Sequence, residues 1–166
     1  MMKSLLFTVL FCVAGCASAP PEPFNYGEVL PAPIQCKEYQ RAGGFCSLQF
    51  ALDEVHARFK YQADHVTHPQ MNSFAGVDVW QKLPADGRGD CEDFALTLRW
   101  YLNRRGITGT RLLAVRTDSG QMHMALEIDG WVMDNSSPFP RRRQDIVGWS
   151  FIKAGDESGV WRTLKD

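Results

Sequence analysis

The dipeptide Asp129-Gly130 stands between two runs suited to strands, Gln121–Ile128 (QMHMALEI) and Trp131–Asp134 (WVMD). A two-residue Asp-Gly connection favours the turn whose twist matches an antiparallel pair, so it specifies a hairpin and its register together. With Ile128 opposite Trp131, Leu126 faces Met133 and Ala125 faces Asp134. Side chains alternate across a sheet, which puts His123, Ala125, Val132 and Asp134 on one face. Met122, Met124, Leu126, Ile128, Trp131 and Met133 take the other. His123 is then diagonal to Asp134, about 7–8 Å away at the backbone, a gap that an imidazole and a carboxylate bridge. A slip of one residue would separate them.

Upstream, Asp90–Gly106 reads as an amphipathic helix. Asp90 stands at the N-cap with Asp93 three residues on, in a capping-box arrangement, and both acids suit the positive end of the helix dipole. Cys91, Phe94, Ala95, Leu98, Tyr101 and Leu102 form one apolar stripe, and Gly106 closes the helix after Arg104 and Arg105. Cys91 therefore falls in the first turn on the inward face. An earlier helix is expected from Ser47 as N-cap to about Gln62, with Phe50, Val55 and Phe59 on or near one face. Between them the chain is loop-like, with Trp80 as its apolar anchor. Arg111–Thr117 (RLLAVRT) supplies a further strand before the hairpin. Helices followed by an antiparallel meander predict an α+β domain with a helix packed on the sheet.

The start of the chain reads differently. A short cationic opening precedes an apolar run, Ser4–Ala14, and then Val13-Ala14-Gly15-Cys16, which resembles a bacterial lipobox. Residues 1–15 are thus expected to be a lipoprotein signal peptide, with Cys16 the lipidated residue. Residues 16–33 form a Pro-rich tether, and 34–166 form one domain. Cleavage after Ala19, giving a soluble periplasmic protein, is the alternative. By resemblance to Gram-negative lipoproteins, Ala17 after the cysteine points to the outer membrane, the lipid being the only membrane attachment. A formal net charge of −1 gives no basis for nucleic-acid binding, and Arg141-Arg142-Arg143 is too short a basic run to alter that.

Of the five cysteines, Cys12 leaves with the signal and Cys16 takes the lipid. In an oxidising compartment Cys36 and Cys46 can close a small loop through Gly43-Gly44. That pairing leaves Cys91 over. A thiol at a helix start, with a histidine and a carboxylate on a sheet, offers the three roles of a cysteine hydrolase: Cys91 as nucleophile, His123 as base and acid, Asp134 as its orienting group. The plain alternatives are a small apolar filler at Cys91, a core histidine at His123 and a turn residue at Asp134. A zinc site has no supporting ligand spacing, and His56, His65 and His68 read as surface histidines.

The blocks GDCEDFA (Gly89–Ala95), MHMALEI around His123 and WVMDN ending at Asn135 resemble the bacterial transglutaminase-like cysteine proteinases over about Phe45 to Pro138. The resemblance implies a papain-like α+β fold, as in transglutaminases, and a thiol peptidase acting through Cys91, His123 and Asp134. The LapG-type members are periplasmic proteases that cut large surface adhesins and bind calcium through the acids flanking the cysteine, here Asp90 and Glu92. Hard carboxylate oxygens suit calcium, while N-capping and dipole compensation account for the same acids without a metal. No organic cofactor is implied. The lipobox and the Cys36/Cys46 pair depart from the family pattern, so the chemistry carries over better than the adhesin substrate. Transglutaminase- or deamidase-type acyl transfer would use the same triad, and a non-catalytic lipoprotein module would use none of it.

Overall fold

A computed structural model describes residues 44–63 and 80–165. The expected signal segment and tether, with Cys16, Cys36, His65 and His68, all lie outside these residues. Cys46 is disulfide-bonded, and Cys91 is a buried thiol.

Among the described residues, two helices, α1 (Phe45–His56) and α2 (Cys91–Asn103), precede most of the sheet. Between them lie two short strands, β1 (Lys60–Tyr61) and β2 (Arg88–Gly89), which pair in parallel. Then come β3 (Arg111–Arg116), β4 (Met122–Ile128), β5 (Trp131–Met133), β6 (Arg141–Arg142), a 3₁₀ turn at Arg143–Asp145, β7 (Ser150–Gly155) and β8 (Trp161–Thr163). Six strands form an antiparallel sheet in the order β6-β5-β4-β3-β7-β8. The α+β expectation is met, helices on one face included.

The hairpin register is the one that Asp129-Gly130 specifies. Ile128 pairs with Trp131 and Leu126 with Met133, and Asp129 adopts a positive φ of 49°. The alternation sorts the core into two layers. Met124, Leu126, Ile128 and Met133 pack with Leu48, Leu52, Phe94, Leu98 and Leu102 of the helices. On the opposite face Leu113, Val115, Ala125 and Val132 pack with Ile146 and Ala154, and Trp149 and Phe151 close over them.

α2 ends as its sequence indicates. Gly106 takes a positive φ of 75°, its N–H reaches Asn103 O at 3.0 Å, and Ile107 N–H reaches Leu102 O at 3.1 Å. This double bond pattern caps the last carbonyls, with Leu102 and Ile107 buried in one cluster beside it. Arg99 fastens the helix to the sheet by donating to Thr110 O at 3.4 Å and Gly155 O at 3.0 Å.

Four expectations are corrected. α1 starts two residues before Ser47, because Gly44 O already accepts from Ser47 N at 2.9 Å and Leu48 N at 3.2 Å. It stops at His56 rather than near Gln62, since Lys60 N–H bonds Gly87 O at 2.8 Å and Gln62 N–H bonds Gly89 O at 2.7 Å. Pairing in a strand thus takes the residues that helical periodicity had claimed. The buried stripe of α1 is Leu48, Ala51, Leu52 and Val55, whereas Phe50 lies under the Arg105 guanidinium. Trp80 anchors nothing in the core. It is exposed and meets Trp161 edge-on, with ring centroids 5.8 Å apart.

Gly87 is the most closely approached of the described glycines. It has φ +78°, and a Cβ there would come within 1.7 Å of Arg58 O. Gly87→Ala is therefore expected to cost at least about 3 kcal/mol, from strain plus a backbone clash that only separating β1 from β2 relieves. Gly106 has a similar φ but nothing within 4 Å of its Cβ position, so Gly106→Ala is expected to cost only about 1 kcal/mol. Urea unfolding of the two variants measures the difference.

Candidate active site

β4 and β5 bring two of the three sequence-predicted residues into contact. His123 Nε2 lies 2.8 Å from Asp134 Oδ2, the diagonal pair that the register predicts. Asp134 is fully buried, and the His123 side chain is 14% exposed. Asp134 Oδ2 also accepts from Ser136 Oγ at 2.5 Å, and its Oδ1 accepts from Arg141 Nη2 at 3.2 Å. Burial on its own would raise the Asp134 carboxyl, but the His123 bond and charge, the Arg141 charge and the Ser136 bond outweigh it. The net result is a carboxyl held below the usual aspartate value. An ionised Asp134 can only accept, so Nε2 carries the proton and Nδ1 is left as the basic nitrogen of neutral His123.

Cys91 opens α2 and is buried in the layer shared by the helices and Met124. Its thiol donates to Glu92 Oε2 at 3.1 Å. Asp90, Glu92 and Asp93 are all buried beside it, three acids at a positive helix end. The capping expectation needs correcting at this point. Asp90 holds the N-cap position without a side-chain cap bond, and Asp93 Oδ1 accepts from Gln81 N at 3.0 Å. Asp93 thus ties the preceding segment to the helix, helped by Leu83 N–H donating to Thr97 Oγ1 at 2.7 Å. Gly89 permits this, as a Cβ there would lie 2.6 Å from Asp93 Oδ2. Glu92 thus meets the thiol directly, and Asp90 is buried one residue before it. Among the described residues, no three His, Cys, Asp or Glu side chains come together as a metal cage.

His56 is not a surface histidine. Its Nε2 lies 3.1 Å from Ser137 O and its ring packs on Phe94 at 4.8 Å, fixing the chain just beyond Asp134. Sequence reasoning also missed Trp149 and Arg141. Trp149 meets the His123 ring edge-on at 5.2 Å, and Arg141 belongs to the triplet noted only as too short a basic run for nucleic acid. The triplet divides its work, since Arg142 lies over Trp131 and Arg143 over Phe151.

The Asp134 environment predicts a pH dependence. Its folded carboxyl is held low, so its stabilising contribution is complete above the ordinary aspartate pKa of about 3.9 and disappears as pH falls through the lower folded value. Asp134→Asn should cost about 2–4 kcal/mol at pH 7. The gap from the unmodified protein should close as the pH falls well below 4, an outcome that denaturant melts of both proteins across this range test directly.

The fold has known counterparts. The sequence profile of the bacterial transglutaminase-like cysteine proteinases matches residues 36–166. A Legionella pneumophila LapG structure superposes with a TM-score of 0.52 and 22% identity, covering 69% of this chain and 68% of that one. EGTA-treated LapG from the same organism gives a TM-score of 0.53 at 19% identity over 74% and 75% of the two chains. Calcium-bound LapG gives 0.53 at 19% identity over 73% and 78%. No curated protein matches. The superpositions show the shared fold. The profile extends from before α1 to beyond β8, and by it the chain belongs to the bacterial transglutaminase-like cysteine proteinases and is a cysteine peptidase.

Proposed function

We propose that Cys91, His123 and Asp134 are the catalytic triad of this peptidase, and that it cuts a periplasmic or cell-surface protein. The His123–Asp134 bond is the observation that carries the reading, because a buried carboxylate on Nε2 leaves Nδ1 as the base. α2 packs across β4, the strand that bears His123, and β4 runs past the end of β5. Ladder pairing with β5 stops at Leu126–Met133, so the start of β4, His123 included, has no β5 partner on that edge.

In the proposed cycle, Cys91 Sγ attacks the scissile carbonyl carbon and His123 takes the thiol proton on Nδ1. The tetrahedral intermediate collapses to a thioester as the C–N bond breaks, and the leaving amine receives that proton. Water then attacks the thioester, giving a proton to Nδ1. Collapse releases the new carboxyl group and returns the proton to sulfur. The backbone amide of Cys91, at a helix start where such groups lack intrahelical acceptors, is the proposed oxyanion donor. The apolar run Ser4–Ala14 and the lipobox-like Val13–Cys16 support an exported lipoprotein held at the outer membrane. A surface adhesin as substrate rests on the resemblance of the Gly89–Ala95 block.

Calcium is proposed at Asp90 and Glu92. Both are buried acids with hard oxygens, and a calcium-bound LapG exists among structures of the same fold. Two carboxylates do not complete a calcium shell, so backbone carbonyls and water would supply the remaining oxygens. An ion held there supplies positive charge beside a helix start crowded with buried acid.

Iodoacetamide at neutral pH is expected to label Cys91 in the folded domain. The rate should fall about a hundredfold or more in His123→Ala, as general-base assistance is lost. A Cys91 that reacts no faster in the folded protein than in urea would sink the triad. For the metal, calcium added after EGTA treatment should raise the melting temperature by several degrees. Asp90→Asn with Glu92→Gln should abolish that rise, and an equal rise in the double variant would remove the site.

A further inference from the structure

His123 and Asp134 belong to a closed ring of four side chains. Asp134 Oδ1 receives Arg141 Nη2 at 3.2 Å. The Arg141 guanidinium lies 4.8 Å from the Trp149 ring centroid, and the Trp149 ring lies 5.2 Å from His123, tilted by 72°. The His123–Asp134 bond at 2.8 Å closes the circuit. Each member is held from two sides by chemically different contacts: hydrogen bond, ion pair, cation–π contact and edge-to-face packing.

We propose that Arg141 and Trp149 are positioning residues that fix the orientation and tautomer of His123. This inference rests on the catalytic reading of that histidine. A single hydrogen bond leaves an imidazole free to swing about the bond, and Trp149 removes that freedom by packing on the ring. A buried aspartate facing only a neutral imidazole would be costly to keep ionised. Arg141 supplies the countercharge from the side opposite His123, using Oδ1 so that Oδ2 stays available. Arg141 opens β6 while Trp149 immediately precedes β7, so two elements on opposite sides of the β5-β4-β3 core converge on one ring. Trp149 is continuous with the apolar layer through Phe151, whose ring lies 6.3 Å away. That anchorage gives the clamp its rigidity.

Long-range proton–nitrogen NMR of the histidines, with Cys91 alkylation rate measured on the same samples, tests the clamp. The unmodified protein should show neutral His123 as a single tautomer protonated on Nε2. Arg141→Ala and Trp149→Ala should each give mixed tautomers and alkylation slower by about tenfold to a hundredfold. Trp149→Phe and Arg141→Lys, which keep a ring and a charge, should recover a large part of both readouts. Millimolar guanidinium should partly restore Arg141→Ala, an effect that general destabilisation would not produce. Unchanged tautomer in the two alanine variants overturns the clamp, as does a slower rate with the tautomer intact. If Cys91 in the unmodified protein is inert, the catalytic reading fails separately, while the tautomer comparison still decides whether Arg141 and Trp149 fix the ring.

Discussion

A fully buried carboxylate sets the terms for one end of this sheet. Asp134 loses its hydration on folding, and attraction to nearby cations seldom does more than offset that loss. Its donors come from three places in the chain: His123 on β4, Ser136 in the segment after β5, and Arg141 at the start of β6. Satisfying one anion therefore fixes how the ends of three strands sit together. Hydrophobic residues of similar volume could hold that junction about as firmly. What the charge adds is direction, because it dictates which nitrogen of His123 carries the proton.

The start of α2 treats its acids differently. Asp90, Glu92 and Asp93 are buried within four residues. Asp93 is satisfied by a backbone amide from Gln81, and Glu92 accepts the Cys91 thiol. The helix dipole favours negative charge there, though only within the first turn and by modest amounts. The two anionic centres thus differ in their donors. Asp134 meets an arginine, while the acids at the start of α2 have a backbone amide and a thiol among theirs.

Much of this was legible before any coordinates. Asp129-Gly130 specifies register, and register alone puts His123 beside Asp134, since a period of two leaves no freedom once one pair is set. The stripe of α2 and its glycine stop are equally local. What escaped depends on distant partners. Nothing in Arg141-Arg142-Arg143 shows that the first turns inward, because the carboxylate it meets is reached only after β6 pairs with β5. β7 pairs with β3 across a bulge between Ala114 and Val115, a contact with no local sequence signal. Trp149, delivered by that pairing, was invisible for the same reason. The end of α1 was misjudged because a two-residue parallel pairing with β2 competes with helix propensity, and propensity is a weak prior against tertiary bonds.

The brevity of β5 then acquires a meaning. Alternation puts His123 and Asp134 on the face away from the helices, while Cys91 lies in the helix-side layer. Across a fully paired sheet, side chains on opposite faces cannot meet. β5 pairs with β4 at only three positions, Ile128, Glu127 and Leu126, and the segment after Asp134 turns to α1, where Ser137 O meets His56. Met122–Ala125 are left with β3 as their one ladder partner in the sheet. An extra turn of strand at β5 would seal that edge and bury the imidazole behind backbone. Ending β5 at Met133 leaves His123 on a stretch of β4 that β5 does not cover. Asp134, the first residue past the strand, both marks that ending and holds the histidine there, so one residue joins the sheet's geometry to the site's chemistry.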